Sequence, residues 1–265
     1  MGKAGPGGRS TTRLLSIADC EPQRRRQVFG RRRGRALRPG QKARISELLP
    51  QLLITIPPSG RLDIGSVFGT MPPSVWLEIG FGGGEHLAHL AEQHRQTGFI
   101  GCEVFENGIA KLLARIEQGR LDNIRIFAED ARFMIAALPA VSIDRVFILF
   151  PDPWPKRRQH KRRLVSRATL DGLAEIMTDN AELRIATDDS DYLCWILERV
   201  TAHPAFEWLA RRPGDWRIRP CDWPPTRYEE KAGTAGRPPA FFRMTRRPRI
   251  SGDNQNSALR TRTCR

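Results

Sequence analysis

The sequence predicts an α/β fold: a doubly wound, mostly parallel sheet of seven strands that is closed by an antiparallel C-terminal hairpin. Two observations support this prediction. Between residues 75 and 201, five short apolar runs alternate with five segments of helical periodicity, and this alternation is typical of a parallel sheet with helices on both faces. Two further apolar segments, at residues 206–209 and 240–245, are expected to pair as the closing hairpin.

The elements follow one another in a regular order. Strands are expected at residues 75–79, 99–103, 124–128, 144–150 and 181–186. Helices are expected at residues 85–95, 106–118, 131–138, 166–177 and 190–201, with a shorter helix at residues 41–53 before the first strand. The run Val146-Phe-Ile-Leu-Phe150 in the fourth strand is continuously apolar, as in strands that are buried on both faces. Residues 211–239 form a proline- and glycine-rich excursion, and an excursion of this length is usually functional.

Positive charge is concentrated at the two ends of the chain. The net charge is +15, of which residues 1–44 contribute +11 and residues 243–265 contribute +6, so the body is close to neutral. We expect a basic, largely flexible arm at residues 1–40, a folded domain at residues 41–245 and a basic, flexible tail at residues 246–265. Arginine-rich arms favour a polyanionic partner, because guanidinium groups pair with phosphates bidentately. The alternative is that the arms only aid solubility.

The cysteines and the hydropathy pattern exclude several classes of protein. Five cysteines without C-x-x-C spacing fit neither a disulfide framework nor a zinc site. The first residues show no apolar leader segment, and no stretch approaches the ~18 apolar residues that a membrane span needs. We expect a cytoplasmic protein without a metal, a membrane anchor or an obligate protein partner.

One short segment places an acid beside a group of cations. Phe150-Pro-Asp-Pro-Trp-Pro-Lys156 follows the fourth apolar run directly and leads into the cation-rich residues 157–163. Its prolines continue neither a strand nor a helix, so Asp152 is expected in a stiff loop at the carboxyl end of a strand, where ligands bind in open α/β sheets. An aromatic ring among cations is typical of nucleic-acid sites. The alternative is an ordinary turn in which Trp154 covers the core and the cations face solvent.

The turn after the first strand indicates a nucleotide-like ligand. Glu78-Ile-Gly-Phe-Gly-Gly-Gly-Glu85 places glycines between a strand and a helix, where the backbone can approach a ligand closely. A dinucleotide fingerprint requires glycine at position 85, where glutamate would repel a pyrophosphate, and the phosphate loop of ATP-binding proteins is missing. S-adenosylmethionine remains, because it has no phosphate and its cationic groups would be attracted by Glu78. Gly80 and Gly82 are therefore expected at this cofactor.

Two further strands end in acids. Glu103 ends the second strand, at the distance from the glycine turn where a carboxylate accepts the hydroxyls of a ribose; the alternative is a surface acid. Glu129 and Asp130 end the third strand. Asp130 can bind the amino group of adenine, or it can cap the helix that begins at Ala131. Three successive strands that end in acids favour one shared ligand.

Together, the glycine turn, the strand-end acids and the Pro-Asp-Pro-Trp segment resemble the bacterial tRNA (guanine-N7-)-methyltransferase family. The resemblance extends over residues 29–245 and includes Phe29-Gly-Arg-Arg-Arg-Gly34, Ile185-Ala-Thr-Asp188 and Thr226-Arg-Tyr-Glu229. The last segment departs from the family's Thr-Lys-Phe-Glu at Arg227 and Tyr228, and arginine is not equivalent to lysine. The resemblance implies the Rossmann-like fold of a class I methyltransferase. It also implies S-adenosylmethionine as the methyl donor and N7 of a guanine in the tRNA variable loop as the acceptor, without a metal.

The resemblance also implies roles for individual residues. Asp152 is expected to be the catalytic residue, next to the cofactor, where it accepts hydrogen bonds from the Watson–Crick edge of guanine and rejects adenine. Lys156 and Asp188 are expected to hold the nucleotide, although Asp188 can instead cap the helix that begins at Ser190. The residues expected to close the pocket are Thr226, Arg227, Tyr228 and Glu229. The residues expected to contact phosphates are Arg158, Lys161, Arg162 and Arg163.

Two other functions remain open at this point. An amino-group RNA methyltransferase carries an Asp-Pro-Pro-aromatic loop at the same strand end, whereas the order here is Pro-Asp-Pro-Trp. A non-catalytic RNA-binding protein on a methyltransferase fold would have no need of the glycine turn and the strand-end acids. Binding of S-adenosylmethionine would separate an enzyme from such a binding protein.

Overall fold

The computed structural model describes residues 30–58, 61–224, 229, 233, 234 and 236–249. Its strands are β1 Ser74–Ile79, β2 Thr97–Cys102, β3 Ile124–Phe127, β4 Ile143–Leu149, β5 Met177–Thr187, β6 Phe206–Trp208 and β7 Ala240–Arg246. They form one sheet in the order β3-β2-β1-β4-β5-β7-β6. β1 to β5 are parallel, and β7 is antiparallel to β5 and to β6. The predicted fold class and the closing antiparallel pair are confirmed.

Helices precede, connect and follow the parallel strands. They are α1 Pro39–Glu47, α2 Leu49–Leu52, α3 Ile64–Phe68, α4 Glu85–Gln93, α5 Glu106–Gly119, α6 Ala131–Ala137, α7 Arg167–Ile176, α8 Ser190–Thr201 and α9 Gly214–Arg217, with a 3₁₀ helix at Arg157–Arg162. In α5, the residues buried at helical spacing are Ile109, Leu112, Leu113 and Ile116. Burial of each such side chain contributes about 1.5–3 kcal/mol to folding, which explains why the helical periodicity predicted α4 to α8 to within two residues.

Several elements differ from the prediction, among them α9 and the 3₁₀ helix, which were not predicted. The helix expected at residues 41–53 is two helices, α1 and α2, because Pro50 lacks the backbone N–H that a continuous helix would need. α3 was not predicted, although Asp63 caps its start and Gly69, with φ +84°, ends it. β5 begins at Met177 rather than at residue 181. Residues 178–180, between the buried Met177 and Ala181, are polar and partly exposed and therefore interrupt the apolar run.

The apolar core lies on both faces of the sheet. One side chain layer includes Leu77, Ile148 and Leu183, and the opposite layer includes Phe99 and Leu112. Both faces of β1 are thus covered, which is why its sequence is continuously apolar apart from Glu78. Among the residues described by the structure, no helix has the length and apolar character needed to cross a membrane.

Candidate functional site

The candidate site lies at the carboxyl edge of the parallel strands. At the end of β1, Ile79 is paired with Cys102 of β2 and with Ile148 of β4. The three strands therefore end side by side. The segments that follow them carry the glycine turn, Glu103 and the Pro-Asp-Pro-Trp loop, so these features meet in space as expected for an open α/β sheet.

The glycine turn follows a path that favours glycine. Gly80, Gly82 and Gly84 have left-handed φ angles of +76°, +56° and +72°, which strain residues that carry a Cβ. Gly80 N donates a hydrogen bond to Cys102 O at 2.8 Å, and Gly84 N donates to Phe81 O at 2.8 Å. The turn is thus fixed to the sheet, and the predicted glycine turn between β1 and α4 is confirmed.

Helix α5 presses against this turn. A Cβ on Gly108 would lie 2.2 Å from the carbonyl oxygen of Gly82, and a Cβ on Gly84 would lie 2.6 Å from the side chain of Leu112. Both positions therefore require glycine. Gly108 is absent from the residues predicted above. Its only signal is a glycine in the first turn of a helix, where glycine is unfavourable unless a close contact requires it.

Glu85, predicted to repel a pyrophosphate, is not an isolated negative charge. Its carboxylate is paired with Arg115 at 3.0 Å, and Nε of Arg115 also donates to Gly83 O at 3.2 Å. The negative charge at the start of α4 is thereby balanced. The exclusion of a dinucleotide rests on the missing glycine at position 85 rather than on charge repulsion.

Glu103 holds the glycine turn from the end of β2. Oε2 accepts a hydrogen bond from Gly82 N at 2.7 Å, and Oε1 accepts from Val104 N at 2.8 Å and Phe105 N at 3.0 Å. Burial raises the pKa of Glu103 despite these three donors, and the nearby charge of Asp152 adds to the increase. No cation in the described part of the chain pairs with this carboxylate. Three of the roughly four lone-pair positions of this carboxylate are thus occupied, and the remaining one, on Oε2, can accept a hydrogen bond from a ribose hydroxyl.

Glu78 lies beneath the turn rather than at its surface. Its side chain is 4% exposed, and Oε2 lies 2.7 Å from Nδ1 of the buried His86. The ring of His86 packs edge-on against Phe147, with 4.7 Å between the centroids. One oxygen of Glu78 is therefore committed to His86, a residue for which the sequence offers no distinctive signal.

The Pro-Asp-Pro-Trp loop is irregular, as predicted, and it is strained at both ends. Residues 151–155 are neither helical nor extended in a strand. Phe150 and Trp154 have left-handed φ angles of +52° and +46°. Such conformations cost about 1–3 kcal/mol each and persist only where the surrounding structure enforces them. They are common at functional sites.

Asp152 projects from this loop, and its carboxylate has no partner among the described residues. The residue is exposed, but enough protein surrounds its carboxylate that desolvation raises its pKa. Within the described ranges, no hydrogen bond or ion pair to the Asp152 carboxylate is present. Gly30 of the basic arm lies against it: a Cβ on Gly30 would be 3.9 Å from Oδ2.

The basic residues after the loop form two groups. Arg157, Arg158 and Lys161 are exposed on the 3₁₀ helix, where they can meet a polyanion. Arg162 instead stacks on the Trp154 ring at 4.9 Å. Arg163 is buried, and the prediction that it contacts a phosphate is wrong, because its guanidinium group points into the protein.

The acids after β3 and β5 have local partners. Asp130 accepts a hydrogen bond from Arg132 N at 3.0 Å and caps α6, so the capping alternative is confirmed, and its contact with adenine stays a prediction. Asp189, not Asp188, caps α8 by accepting from Tyr192 N at 2.8 Å. Asp188 pairs with Arg237 at 2.9 Å. Across the described residues, no group of three or more His, Cys, Asp or Glu could hold a metal ion.

The late loop is anchored by an arginine that the sequence did not identify. Arg184 of β5 is buried between the rings of Phe147 and Trp223, 5.7 and 5.3 Å from their centroids, and pairs with Asp222 at 2.5 Å. Glu229 pairs with Arg219 at 3.0 Å. The predicted pocket residues Thr226, Arg227 and Tyr228 lie outside the described residues.

The described end of the basic arm lies along α5. Gly34 N donates to Asn107 Oδ1 at 2.7 Å, and Asn107 Nδ2 donates to Arg35 O at 2.7 Å. Glu106 N donates to Arg32 O at 2.9 Å. Residues 30–38 therefore contact the folded domain next to the Asp152 loop.

Known proteins similar to this chain include several curated enzymes. A family model described as "Putative methyltransferase" matches residues 73–241. The tRNA (guanine-N(7)-)-methyltransferase of Rhodospirillum rubrum is 47% identical over 234 residues, covering 87% of this chain and 92% of that protein. The protein with the same name from Paramagnetospirillum magneticum is 49% identical over 227 residues, covering 85% of this chain and 94% of that protein. The one from Chelativorans sp. is 42% identical over 231 residues, covering 87% of this chain and 100% of that protein. The matched span includes the glycine turn and the Asp152 loop.

Proposed function

We propose that this chain, which belongs to the tRNA (guanine-N(7)-)-methyltransferase family, transfers a methyl group from S-adenosylmethionine to N7 of a guanine in tRNA. The observation that carries the proposal is the Asp152 carboxylate, whose pKa is raised by burial on a strained loop beside the glycine turn. We also propose that the guanine lies in the tRNA variable loop and that the reaction is cytoplasmic. Those two points rest on the family resemblance.

The carboxyl edge fits S-adenosylmethionine. A Cβ on Gly80 would meet nothing within 4 Å, so a ligand has open space against the backbone of the turn. Gly80, Gly82 and Glu103 would hold the nucleoside, with Glu103 accepting a hydrogen bond from a ribose hydroxyl. Asp130 would meet the adenine amino group, and Glu78 would supply negative charge from beneath the turn. When bound, S-adenosylmethionine supplies an electrophilic methyl group.

Asp152 is proposed to orient the guanine. The N1–H and the 2-amino group of guanine are neighbouring donors, and a carboxylate accepts both in a bidentate arrangement. Burial strengthens these hydrogen bonds, because water competes less for the carboxylate. Adenine presents an acceptor at the same edge and would leave Asp152 unpaired. N7 carries a lone pair at neutral pH, so the reaction needs alignment rather than a general base.

Exposed cations next to this loop are proposed to bind the tRNA backbone. Arg157, Arg158 and Lys161 extend from the 3₁₀ helix, and Lys156 precedes it. Phosphate contacts of this kind give affinity that falls with salt and carry no base specificity. Lys156, Asp188 and residues 226–229 are proposed to hold the nucleotide and close the pocket. The ion pairs of Asp188 with Arg237 and of Glu229 with Arg219 would then open or be shared with the substrate.

The basic arm is proposed to extend the phosphate-binding surface. Residues 1–28 contain six Lys and Arg residues, so their deletion should weaken tRNA binding mainly at low salt and reduce the slope of log Kd against log salt. Fluorescence anisotropy with labelled tRNA at several salt concentrations measures this slope. An unchanged slope would remove the arm from the binding surface.

The test of the proposed function is a product analysis. The purified protein is incubated with unmodified tRNA and methyl-labelled S-adenosylmethionine, and the labelled nucleosides are identified by mass spectrometry after digestion. The expected product is 7-methylguanosine. Sequencing of the labelled tRNA fragments then locates this nucleoside in the variable loop. Label in an N-methylated exocyclic amine would support the amino-group methyltransferase instead. Absence of label, although the tRNA binds, would support the non-catalytic RNA-binding protein.

A further inference from the structure

Arg163 carries a charge that is taken out of water. Its side chain is 1% exposed, and its guanidinium group lies 5.0 and 4.8 Å from the ring centroids of Tyr192 and Trp195. Nε donates a hydrogen bond to the carbonyl oxygen of Pro153 at 2.8 Å, and NH2 pairs with Asp191. Desolvation of an arginine is costly unless such partners offset it, so this side chain is built into the protein rather than presented to a ligand.

The hydrogen bond to Pro153 acts on the strained part of the Asp152 loop. The carbonyl of Pro153 belongs to the peptide unit that joins Pro153 to Trp154, and Trp154 has a φ of +46°. A tryptophan keeps this conformation only if neighbouring groups hold the peptide in place. Arg163 fixes that peptide one residue after Asp152, and Arg162 covers the Trp154 ring.

Arg163, Asp191, Tyr192 and Trp195 form a cluster, here called the Arg163 cluster, that joins the Asp152 loop to α8. Val165 N donates to the hydroxyl oxygen of Tyr192 at 3.1 Å, and Nε1 of Trp195 donates to Val165 O at 2.7 Å. Asp191 and Tyr192 lie in the first turn of α8, which directly follows β5. The Arg163 cluster therefore sets the position of the Asp152 loop, after β4, relative to the segment after β5.

We propose that Arg163 is a positioning residue that holds Asp152 in the orientation needed to receive the guanine. The inference rests on the proposed role of Asp152. A purely structural role for Arg163 is the competing explanation, and it gives a different pattern of kcat, tRNA affinity and stability.

The experiment compares Arg163→Met with Arg163→Lys in the full-length protein. Methionine keeps the unbranched stem of the side chain but donates no hydrogen bond, whereas lysine restores one donor toward Pro153. We expect Arg163→Met to lower kcat on tRNA about 50-fold, with the tRNA Kd and its salt slope within twofold of wild type, because misorientation of reacting groups acts mainly on the chemical step. Arg163→Lys should recover at least fivefold of that loss.

Two control variants are measured beside Arg163→Met. Arg199→Gln removes another cation that stacks on Trp195 but whose hydrogen bonds go to Trp195 and Glu198, and it should leave kcat unchanged. Arg158→Gln removes an exposed cation and should raise the tRNA Kd and reduce its salt slope by about one. If Arg163→Met behaves like Arg158→Gln, or retains wild-type kcat, the inference is overturned.

Folding is checked separately by Tm and by the Kd for S-adenosylmethionine. If Arg163→Met does not fold, the variant Asp191→Asn tests the proposal instead. The Asp191 side chain is 65% exposed, and its replacement weakens the ion pair with Arg163 from the solvent side. A fall in kcat of threefold or more at unchanged tRNA Kd supports the inference, and an unchanged kcat overturns it. A wild-type protein without methylation activity would instead refute the proposed function itself.

Discussion

Asp179 at the amino edge of the sheet differs from Glu103 and Asp152 at the carboxyl edge in the partners of its carboxylate. At the amino edge, Asp179 accepts hydrogen bonds from Arg249 N at 3.1 Å and from Arg246 at 3.2 Å, and these partners, led by the backbone N–H of Arg249, lower its pKa. At the carboxyl edge, burial raises the pKa of Glu103 and of Asp152. In the described parts of the chain, neither of these two acids is paired with a cation.

This difference is the one expected between structural carboxylates and carboxylates that are held for a ligand. An acid that serves the fold is stabilised by the fold, so its charged form gains from Arg partners. An acid that is desolvated and left without a cation costs stability in the free protein, and this cost is offset only when a donor-rich ligand arrives. Perturbed acids in a cleft are functional-site candidates for this reason.

Replacement of Asp152 should give the largest effect. We expect Asp152→Ala to lower kcat on tRNA at least about 100-fold, because one oriented group at a reacting centre contributes on this scale. The Kd for tRNA should change less than about threefold, since phosphate contacts dominate it. Single-turnover rates and anisotropy measure the two quantities. Equal losses in rate and affinity would assign Asp152 to binding rather than to catalysis.

Replacement of Glu103 should act on the cofactor. We expect Glu103→Gln to raise the Kd for S-adenosylmethionine by about 10- to 100-fold, the range for loss of charge-assisted hydrogen bonds, as measured by calorimetry. In the proposed complex, the ionised acid accepts a hydrogen bond from the ribose, and its pKa is raised in the free protein. Cofactor affinity should therefore begin to fall, as the pH is lowered, above the usual glutamate value of about 4.3. A pH-independent Kd down to that value would contradict the contact.

Replacement of Asp179 at the amino edge should give the smallest effect. We expect Asp179→Asn to leave kcat and both Kd values within twofold of wild type and to lower Tm by at most about 3 °C, as for exposed ion pairs. The pKa of Asp179 is lowered in the folded protein, so ionised Asp179 stabilises the fold above about pH 3.9, the pKa of aspartate in the unfolded chain. This contribution to stability is lost as the pH falls through the pKa of the folded protein. A large loss of activity would break the contrast between the two edges.

Much of the fold could be predicted because each element carries its own local signal. Continuous apolar runs marked β1 to β4, helical spacing marked α5, and the glycines marked the turn that Glu103 holds. Asp152 could be selected because prolines on both sides of an acid, directly after a buried strand, exclude regular structure.

The remaining features depend on partners that are distant in sequence. No feature of the basic run indicated that Arg163 is buried among residues of α8 while Arg158 is exposed. The pairing of Glu85 with Arg115, 30 residues later, was equally hidden. Charge patterns identify which residues are ionic, but the tertiary packing decides which of them face a ligand.

The most direct test of the account asks whether Asp152 reads the Watson–Crick edge of the guanine. Wild type and Asp152→Ala are compared on tRNA that carries either guanosine or inosine at the methylated position, because inosine lacks the 2-amino group. In the wild type, inosine should lower the single-turnover rate about tenfold, the effect of one lost hydrogen bond to a charged group, and this penalty should disappear in Asp152→Ala. An equal penalty in both proteins would show that another residue receives the guanine and would contradict the central role of Asp152.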